Sequence, residues 1–189
     1  MLLLFCTFNL NSAEIVKSGF NEQTLKEWVK GKGSWTVADG VLTGVEKAED
    51  KHVAGIGLKI DCTDAVIEFE FNVVEGKYIH LTVNTIKGGK DTRLRFAVSG
   101  DGKVDLRAGA QKKKAYSLLG KAVKISDHKN KWHSVKIQYS GQEIVVELDG
   151  KVIIDGEAVK EFLGNKNKIN LVVNGKASFR NFKLLSSSK

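Results

Sequence analysis

Residues 132–154 read WHSVKIQYSGQEIVVELDGKVII, with apolar and polar residues alternating and breaks at Ser140-Gly141 and Asp149-Gly150. A period of two belongs to a strand with one buried face. A two-residue break carrying glycine is a tight antiparallel turn, because such turns need the positive φ that glycine, asparagine and aspartate accept. The stretch therefore reads as two hairpins in succession. Asp39-Gly40 and Asn174-Gly175 give the same turn signal, and Gly100-Asp101-Gly102 gives a slightly longer version. About a dozen strands at such short spacing predict a sandwich of antiparallel sheets rather than a parallel α/β sheet. Short helices are expected only at Asn21 to Trp28, with Asn21 as cap, and around Lys160 to Gly164. Proline is absent, so charge must protect the edge strands, and scattered lysines supply it.

The chain has 189 residues, 42% hydrophobic and 28% charged, which suits one domain with a filled core. No apolar run approaches the roughly 20 residues of a membrane span. Residues 1–13 contain an apolar block, Leu2 to Phe8, followed by small and polar residues ending at Ala13. That pattern resembles the end of a secretory leader without its positive start. A buried first strand is the other reading. With the leader, the domain runs over 14–189 and Cys6 is lost, leaving Cys62 as a packed or shallow thiol. No disulfide framework or zinc spacing is present.

The net charge of +8 comes almost wholly from dispersed lysines, with one knot at Lys112, Lys113 and Lys114. The arginines are Arg93, Arg95, Arg107 and Arg180. A nucleic-acid partner would call for basic and aromatic residues clustered on one element, so none is expected.

Period two also assigns faces. Ala65, Ile67, Phe69, Phe71 and Val73 point inward, as do Ile79, Leu81 and Val83, then Leu94, Phe96 and Val98, then Val104 and Leu106. Glu68, Glu70, Asn72, Tyr78, His80, Thr82, Asn84, Arg93, Arg95, Asp105 and Arg107 point outward. If these four stretches form a meander, their outer sides make one continuous polar face. Phe69, Phe71, Leu94, Phe96, Val135, Ile137, Val145 and Phe182 are the expected core.

Glu68 and Glu70 share a face about 6.5–7 Å apart at their Cα atoms, close to the separation of an inverting carboxylate pair. A cross-strand ladder with arginine and lysine is the alternative, and the more common arrangement. His80 could serve as a base near neutral pH. Glu46, Glu49 and Asp50 form an acidic loop that could offer oxygens to calcium, although Lys47 and Lys51 already neutralise it and no cofactor is expected. His52, His128 and His133 lack a metal spacing. Trp35 and Trp132 begin strands beside apolar neighbours, which places them in the core rather than against sugar rings.

GSWTVADGVLTG, DAVIEFEFNV, KWHSVKIQYSGQEIVVELDGK and SFRNFKLL, in that order, resemble the family of 3-keto-disaccharide hydrolase domains. That family is similar in fold to concanavalin-like lectins and family 16 glucanases. The resemblance runs from Phe20 to Leu184. It implies an all-β fold: a concanavalin-like jelly-roll β-sandwich of two antiparallel sheets, with one or two short helices. It also implies a concave sheet that receives a carbohydrate or glycoside, in secreted or periplasmic proteins of bacteria. Enzymatic members carry an asparagine-serine-glycine segment leading to an arginine, and later glutamate, glutamine and aspartate on one strand. Neither segment is recognisable in residues 78–104.

The sequence thus predicts an exported carbohydrate-recognising module without strong catalysis, binding through Glu68, Glu70, His80, Asn84, Arg93, Arg95 and Arg107. The alternatives are a hydrolase of 3-keto-glycosides, with Glu70 and His80 as acid and base, and a structural interaction domain.

Overall fold

The computed structural model describes residues 13–87, 90–110, 115–157, 162 and 164–187. The Leu2–Phe8 block, the Lys112–Lys114 knot and most of the second expected helix lie outside them. The described residues open with β1 (Ala13–Ser18), α1 (Glu22–Leu25), β2 (Trp28–Lys30), β3 (Ser34–Ala38) and β4 (Val41–Val45). After a 3-10 turn at Ala48–Asp50 come β5 (Ala54–Cys62), β6 (Ala65–Lys87), β7 (Lys90–Ser99), β8 (Lys103–Ala110) and β9 (Ala115–Lys124). The hairpins β10 (His133–Ser140), β11 (Glu143–Leu148) and β12 (Lys151–Glu157) follow, and β13 (Lys166–Ser187) closes the chain. No helix among the described residues is long and apolar enough to cross a membrane.

Asn21 caps α1 as expected: its side chain accepts from the Thr24 amide at 2.8 Å, and Thr24 Oγ1 accepts from the Asn21 amide at 2.9 Å. This reciprocal pairing is a capping box. The helix stops at Leu25, short of the predicted Trp28, because Trp28 is claimed by β2 and buried against Phe20 and Phe182.

Two strands are far longer than the sequence suggested. The 65–73 and 78–84 stretches are halves of one strand, β6, rather than neighbours in a meander. The first half pairs with β10 and the second with β7, while β13 runs along the opposite edge of both. β13 in turn meets β5 with its first half, then β4 and β1 with its second. Both strands bend at one corner. Near Gly76 the β6 backbone passes so close to β13 that a Cβ there would lie 1.7 Å from the Asn174 carbonyl oxygen. Asn174 stitches the corner, since its Oδ1 accepts from the Lys77 amide at 2.9 Å and its Nδ2 donates to Glu46 at 2.8 Å. Asn174-Gly175, expected as a hairpin turn, is thus a bend within a continuous strand.

The bend makes two layers out of one hydrogen-bonded network. The first sheet holds β12, β11, β10, the first half of β6, the second half of β13, β4 and β3, with β1 alongside β13. The second holds β9, β8, β7, the second half of β6, the first half of β13, β5 and β2. Phe69 and Phe96 prove the folding-over. Phe96 pairs across from Leu81, which a straight strand would carry about 40 Å from Phe69. Instead the two rings meet edge to face at 6.1 Å, and Phe71 lies 6.3 Å from Phe96. The core lies between these layers.

Every residue assigned inward on the four stretches is buried, as are Val135, Ile137 and Phe182. Val145 is not. It is half-buried and pairs with outward Gln138, while Ile144 and Val146 enter the core opposite Tyr139 and Ile137. Glu143 and Glu147 share the parity of Val145, so the alternation of EIVVEL itself sets it outward, one residue off the expected core position. Trp35 is buried and stacks on Phe179 at 6.5 Å. Cys62 is buried 3.6 Å from the Tyr139 hydroxyl, and burial pushes its thiol up, which makes it a packed residue.

Candidate functional site

The outer face of the second sheet is built from three adjacent rows of cross-strand partners. The first row runs Asp105, Ala97, His80, Val172, Gly55. The second runs Arg107, Arg95, Thr82, Asn170, Gly57, Val29. The third runs Gly109, Arg93, Asn84, Lys168, Lys59. Because side chains alternate along each strand, all of these project to the same side. Over β5 the rows contain Gly55, where nothing lies within 4 Å of an added Cβ, and Gly57, whose missing side chain makes room for the Lys168 side chain and the Asn170 amide. A groove of about 480 Å³ lies here. Thr82, Asn84, Arg93, Lys168, Asn170 and Val172 line it, with Val29 and Lys32 on its far wall.

The polar groups of the groove are held in place. Arg93 Nε donates to Asn84 Oδ1 at 3.2 Å, and Asn170 Nδ2 donates to Thr82 Oγ1 at 3.1 Å. His80 stacks on Tyr78, with ring centroids 4.4 Å apart and planes 9° from parallel. Burial above all, then the positive charge of Arg95 and Arg93, lowers the His80 pKa to about 4 against the pull of Asp105. The imidazole is therefore neutral at pH 7, able to donate or accept a hydrogen bond but weak as a proton acceptor.

Glu68 and Glu70 are elsewhere. They stand on the first half of β6, on the outer face of the first sheet, with the core between them and His80, Asn84, Arg93, Arg95 and Arg107. The single continuous polar face expected from the sequence is two faces, separated by the corner at Gly76. Glu70 and His80 consequently cannot work as acid and base on one substrate.

What surrounds the two glutamates fits the ladder reading. Glu68 lies across from Lys136 on one side and Lys183 on the other. Glu70 accepts from Arg180 Nε at 2.7 Å and from Asn181 Nδ2 at 2.6 Å. Partial burial pushes the Glu70 pKa up, but the Asn181 and Arg180 hydrogen bonds and the Arg180 charge outweigh it, and the carboxyl sits below its ordinary value. That is the wrong direction for a general acid. Asn181 reaches Glu70 from a bulge in β13, where its φ is 53° and the register shifts between Arg180 and Lys183. Trp132 is not in the core: the Arg180 guanidinium sits 4.2 Å over its ring on this same face. A cavity of about 390 Å³ lies beside these groups, lined by Glu68, Glu70, Ser134, Lys136, Glu147 and Asn181 among others.

A depressed folded pKa contributes stability that is present above the unfolded value and lost as pH falls through the folded one. Wild type is therefore expected to melt above Glu70→Gln at pH 7. That advantage should shrink below pH about 4.3, the ordinary glutamate pKa, and vanish at still lower pH. A gap in melting temperature that stays constant from pH 7 to 2.5 contradicts the Glu70–Arg180–Asn181 arrangement.

The acidic loop does not converge. Glu46 accepts from Asn174 and the Gly175 amide, Asp50 accepts from the Gly33 amide at 2.5 Å, and Glu49 lies 3.9 Å from Lys47. Among the described residues no group of three His, Cys, Asp or Glu side chains could hold a metal ion. His133 is tied to Asp149 at 2.8 Å, and His128 to the Gly100 carbonyl at 2.9 Å.

Sequence reasoning missed Lys168, Asn170, Gly55 and Gly57. Their alternation in KINLVV and GIGLK was visible, but not which strands they would join. The Arg180–Asn181 bulge did leave a signal. Phe179 and Phe182 are both buried although three positions apart, which requires an extra residue in the strand.

A family model described as "3-keto-alpha-glucoside-1,2-lyase-like domain" matches residues 16–185. No curated protein matches the chain by sequence. Among solved structures, carbohydrate binding module CBM66 from Bacillus subtilis superimposes with a TM-score of 0.67 at 18% identity, covering 85% of this chain and 96% of that one. The laminarinase catalytic domain from Thermotoga maritima gives 0.71 at 12% identity, covering 94% and 100%. A Bacillus licheniformis beta-glucanase gives 0.68 at 11%, covering 94% and 99%. Likeness at these identities shows the fold, a concanavalin-like jelly roll.

Proposed function

The chain belongs to the family of 3-keto-alpha-glucoside-1,2-lyase-like domains, and on that premise we propose that it recognises carbohydrate in the groove of its second sheet, without strong catalysis. The observation that carries this reading is the alignment of Thr82, Asn84 and Asn170 across two paired strands, beside the space left open by Gly55. Sugar hydroxyls need several fixed donors and acceptors, and strands hold such groups more accurately than loops do. Solved structures of this fold include one named as a carbohydrate binding module and others named as glucanases, which supports the same ligand class.

The case against strong catalysis is the placement of the carboxylates. Glycoside hydrolysis by two carboxyl groups needs them about 5–5.5 Å or 6.5–9.5 Å apart across one bond. Along the three rows the carboxylate is Asp105, and Arg107 holds it at 3.1 Å. Glu68 and Glu70 face away. The family match supports a second reading, cleavage of a 3-keto-glycoside, in which neutral His80, one row from the groove, would act and Glu70 would take no part. Export belongs to the first reading, on the strength of the apolar Leu2–Phe8 block ahead of small and polar residues.

Titration calorimetry against an oligosaccharide panel tests the proposal. Each of Asn84→Ala and Asn170→Ala should weaken binding about 3- to 10-fold, the worth of one or two hydrogen bonds, with the melting temperature nearly unchanged. Undiminished binding in both variants sinks the groove. Turnover of a 3-keto-disaccharide that disappears in His80→Gln would promote the second reading.

A further inference from the structure

We propose that the sugar bound in this groove is acidic, with a carboxylate or sulfate seated among Arg93, Arg95 and Arg107 while Thr82, Asn84 and Asn170 take its hydroxyls. This rests on the carbohydrate reading above and adds the chemical class of the ligand.

The first observation is a like-charge opposition that a neutral ligand would not explain. Arg95 and Arg107 are direct cross-strand partners on the outer face. Like charges placed opposite one another destabilise a sheet. One row away, Lys168 is paired with Lys59. Along the three rows, Arg93, Arg95, Arg107, Lys168 and Lys59 stand against a single carboxylate, Asp105.

The second observation concerns how those cations are satisfied. Arg107 is, because Nε and Nη2 donate to the two Asp105 oxygens at 3.2 and 3.1 Å. Arg95 is not. Its Nε is buried with no hydrogen-bond partner among the described residues, while its guanidinium lies 5.1 Å over the Tyr116 ring. A buried donor left without a partner costs stability, and in a native protein it calls for an explanation. Arg93 spends its Nε on the neutral Asn84 amide and lines the groove. The planar guanidinium fork fits carboxylate and sulfate oxygens in pairs.

His80, between Ala97 and Val172 in the adjoining row, senses this field. Burial, Arg95 and Arg93 hold it at about 4, with Asp105 opposing. An anion beside the arginines relieves part of that repulsion and raises the His80 pKa. A neutral sugar does not.

The test compares binding of the full chain to oligogalacturonate, a sulfated galactan oligosaccharide, the neutral galactan of equal length, and a single-stranded oligonucleotide of equal charge. One acidic sugar should bind at least 10-fold tighter than the neutral one, and its affinity should fall severalfold between low and high salt as screening sets in. Arg95→Gln and Arg93→Gln should each abolish that preference. Arg95→Gln should melt no lower than wild type, since it removes the opposition with Arg107, so its loss of binding cannot be ascribed to unfolding. Proton NMR should show the His80 titration moved up from about 4 in the acidic-sugar complex. Equal or tighter binding of the neutral galactan overturns this inference while keeping the carbohydrate reading. Equal binding of the oligonucleotide also overturns it, as does an acidic preference that survives in both arginine variants. Failure of every sugar to bind overturns both.

Discussion

Gly76→Ala is expected to cost about 3 kcal/mol or more, enough to leave much of the chain unfolded in a domain of ordinary stability. Two penalties combine at this position. The backbone has φ of 114°, a region that side-chain-bearing residues rarely occupy. A Cβ there would also stand 1.7 Å from the Asn174 carbonyl oxygen and 2.6 Å from its carbon. Backbone cannot rotate out of the way as a side chain can, so β6 and β13 must separate where both cross from one sheet to the other. Gly141→Ala is the control. Its φ is 52° but nothing lies within 4 Å of the added atom, so only the conformational cost of about 1–2 kcal/mol applies. Denaturant unfolding of the two variants measures the difference. Equal midpoints would mean that the corner is not where the sheets are joined.

Phe71→Ala should lose about 3–5 kcal/mol, the range for deleting a large aromatic from a packed core. Phe71 has no exposed surface and meets Phe69 at 6.4 Å, Phe96 at 6.3 Å and the His133 ring at 5.5 Å. Those partners come from both layers, so the ring's removal opens a cavity where the sheets meet rather than within one of them. For a domain of this size the loss corresponds to a melting temperature lower by about 6–20 °C. A midpoint within a degree or two of wild type would place Phe71 on an outer face and reverse every assignment on β6.

The burial of each strand was legible because period two is a local property. Thirteen inward residues from Ala65 to Leu106 are all buried as the alternation predicts. The exception, Val145, lies in the apolar run Ile144-Val145-Val146, where its own apolarity suggested burial while the parity of Glu143 and Glu147 sets it outward. Partnership was not legible, because it depends on residues far apart in the chain. β13 lies beside β6 along nearly its whole length, yet nothing in either segment names the other.

The division of the candidate site follows from the same limit. Val73 and Ile79 are both inward and of the same parity, with exposed Glu75 and Lys77 between them, which suits both a hairpin between two strands and one strand that bends. The hairpin reading put Glu70 and His80 side by side. The bend puts them on opposite faces, with Glu70 held by Arg180 and Asn181 from a bulge that the Phe179–Phe182 spacing had marked. Five of the seven proposed binding residues, His80, Asn84, Arg93, Arg95 and Arg107, remain together on the second sheet. Asn170 and Lys168 complete their surface from the distant strand.

The central claim is that ligand lies across the outer face of the second sheet. Amide and side-chain chemical-shift mapping during titration with the tightest-binding oligosaccharide tests it most directly. The account predicts shifts concentrated at Gly55, Gly57, Thr82, Asn84, Arg93 and Asn170, with Glu68, Glu70, Trp132 and Asn181 unmoved. Shifts centred on Glu70, Trp132 and Asn181, with the second-sheet groove silent, would contradict it.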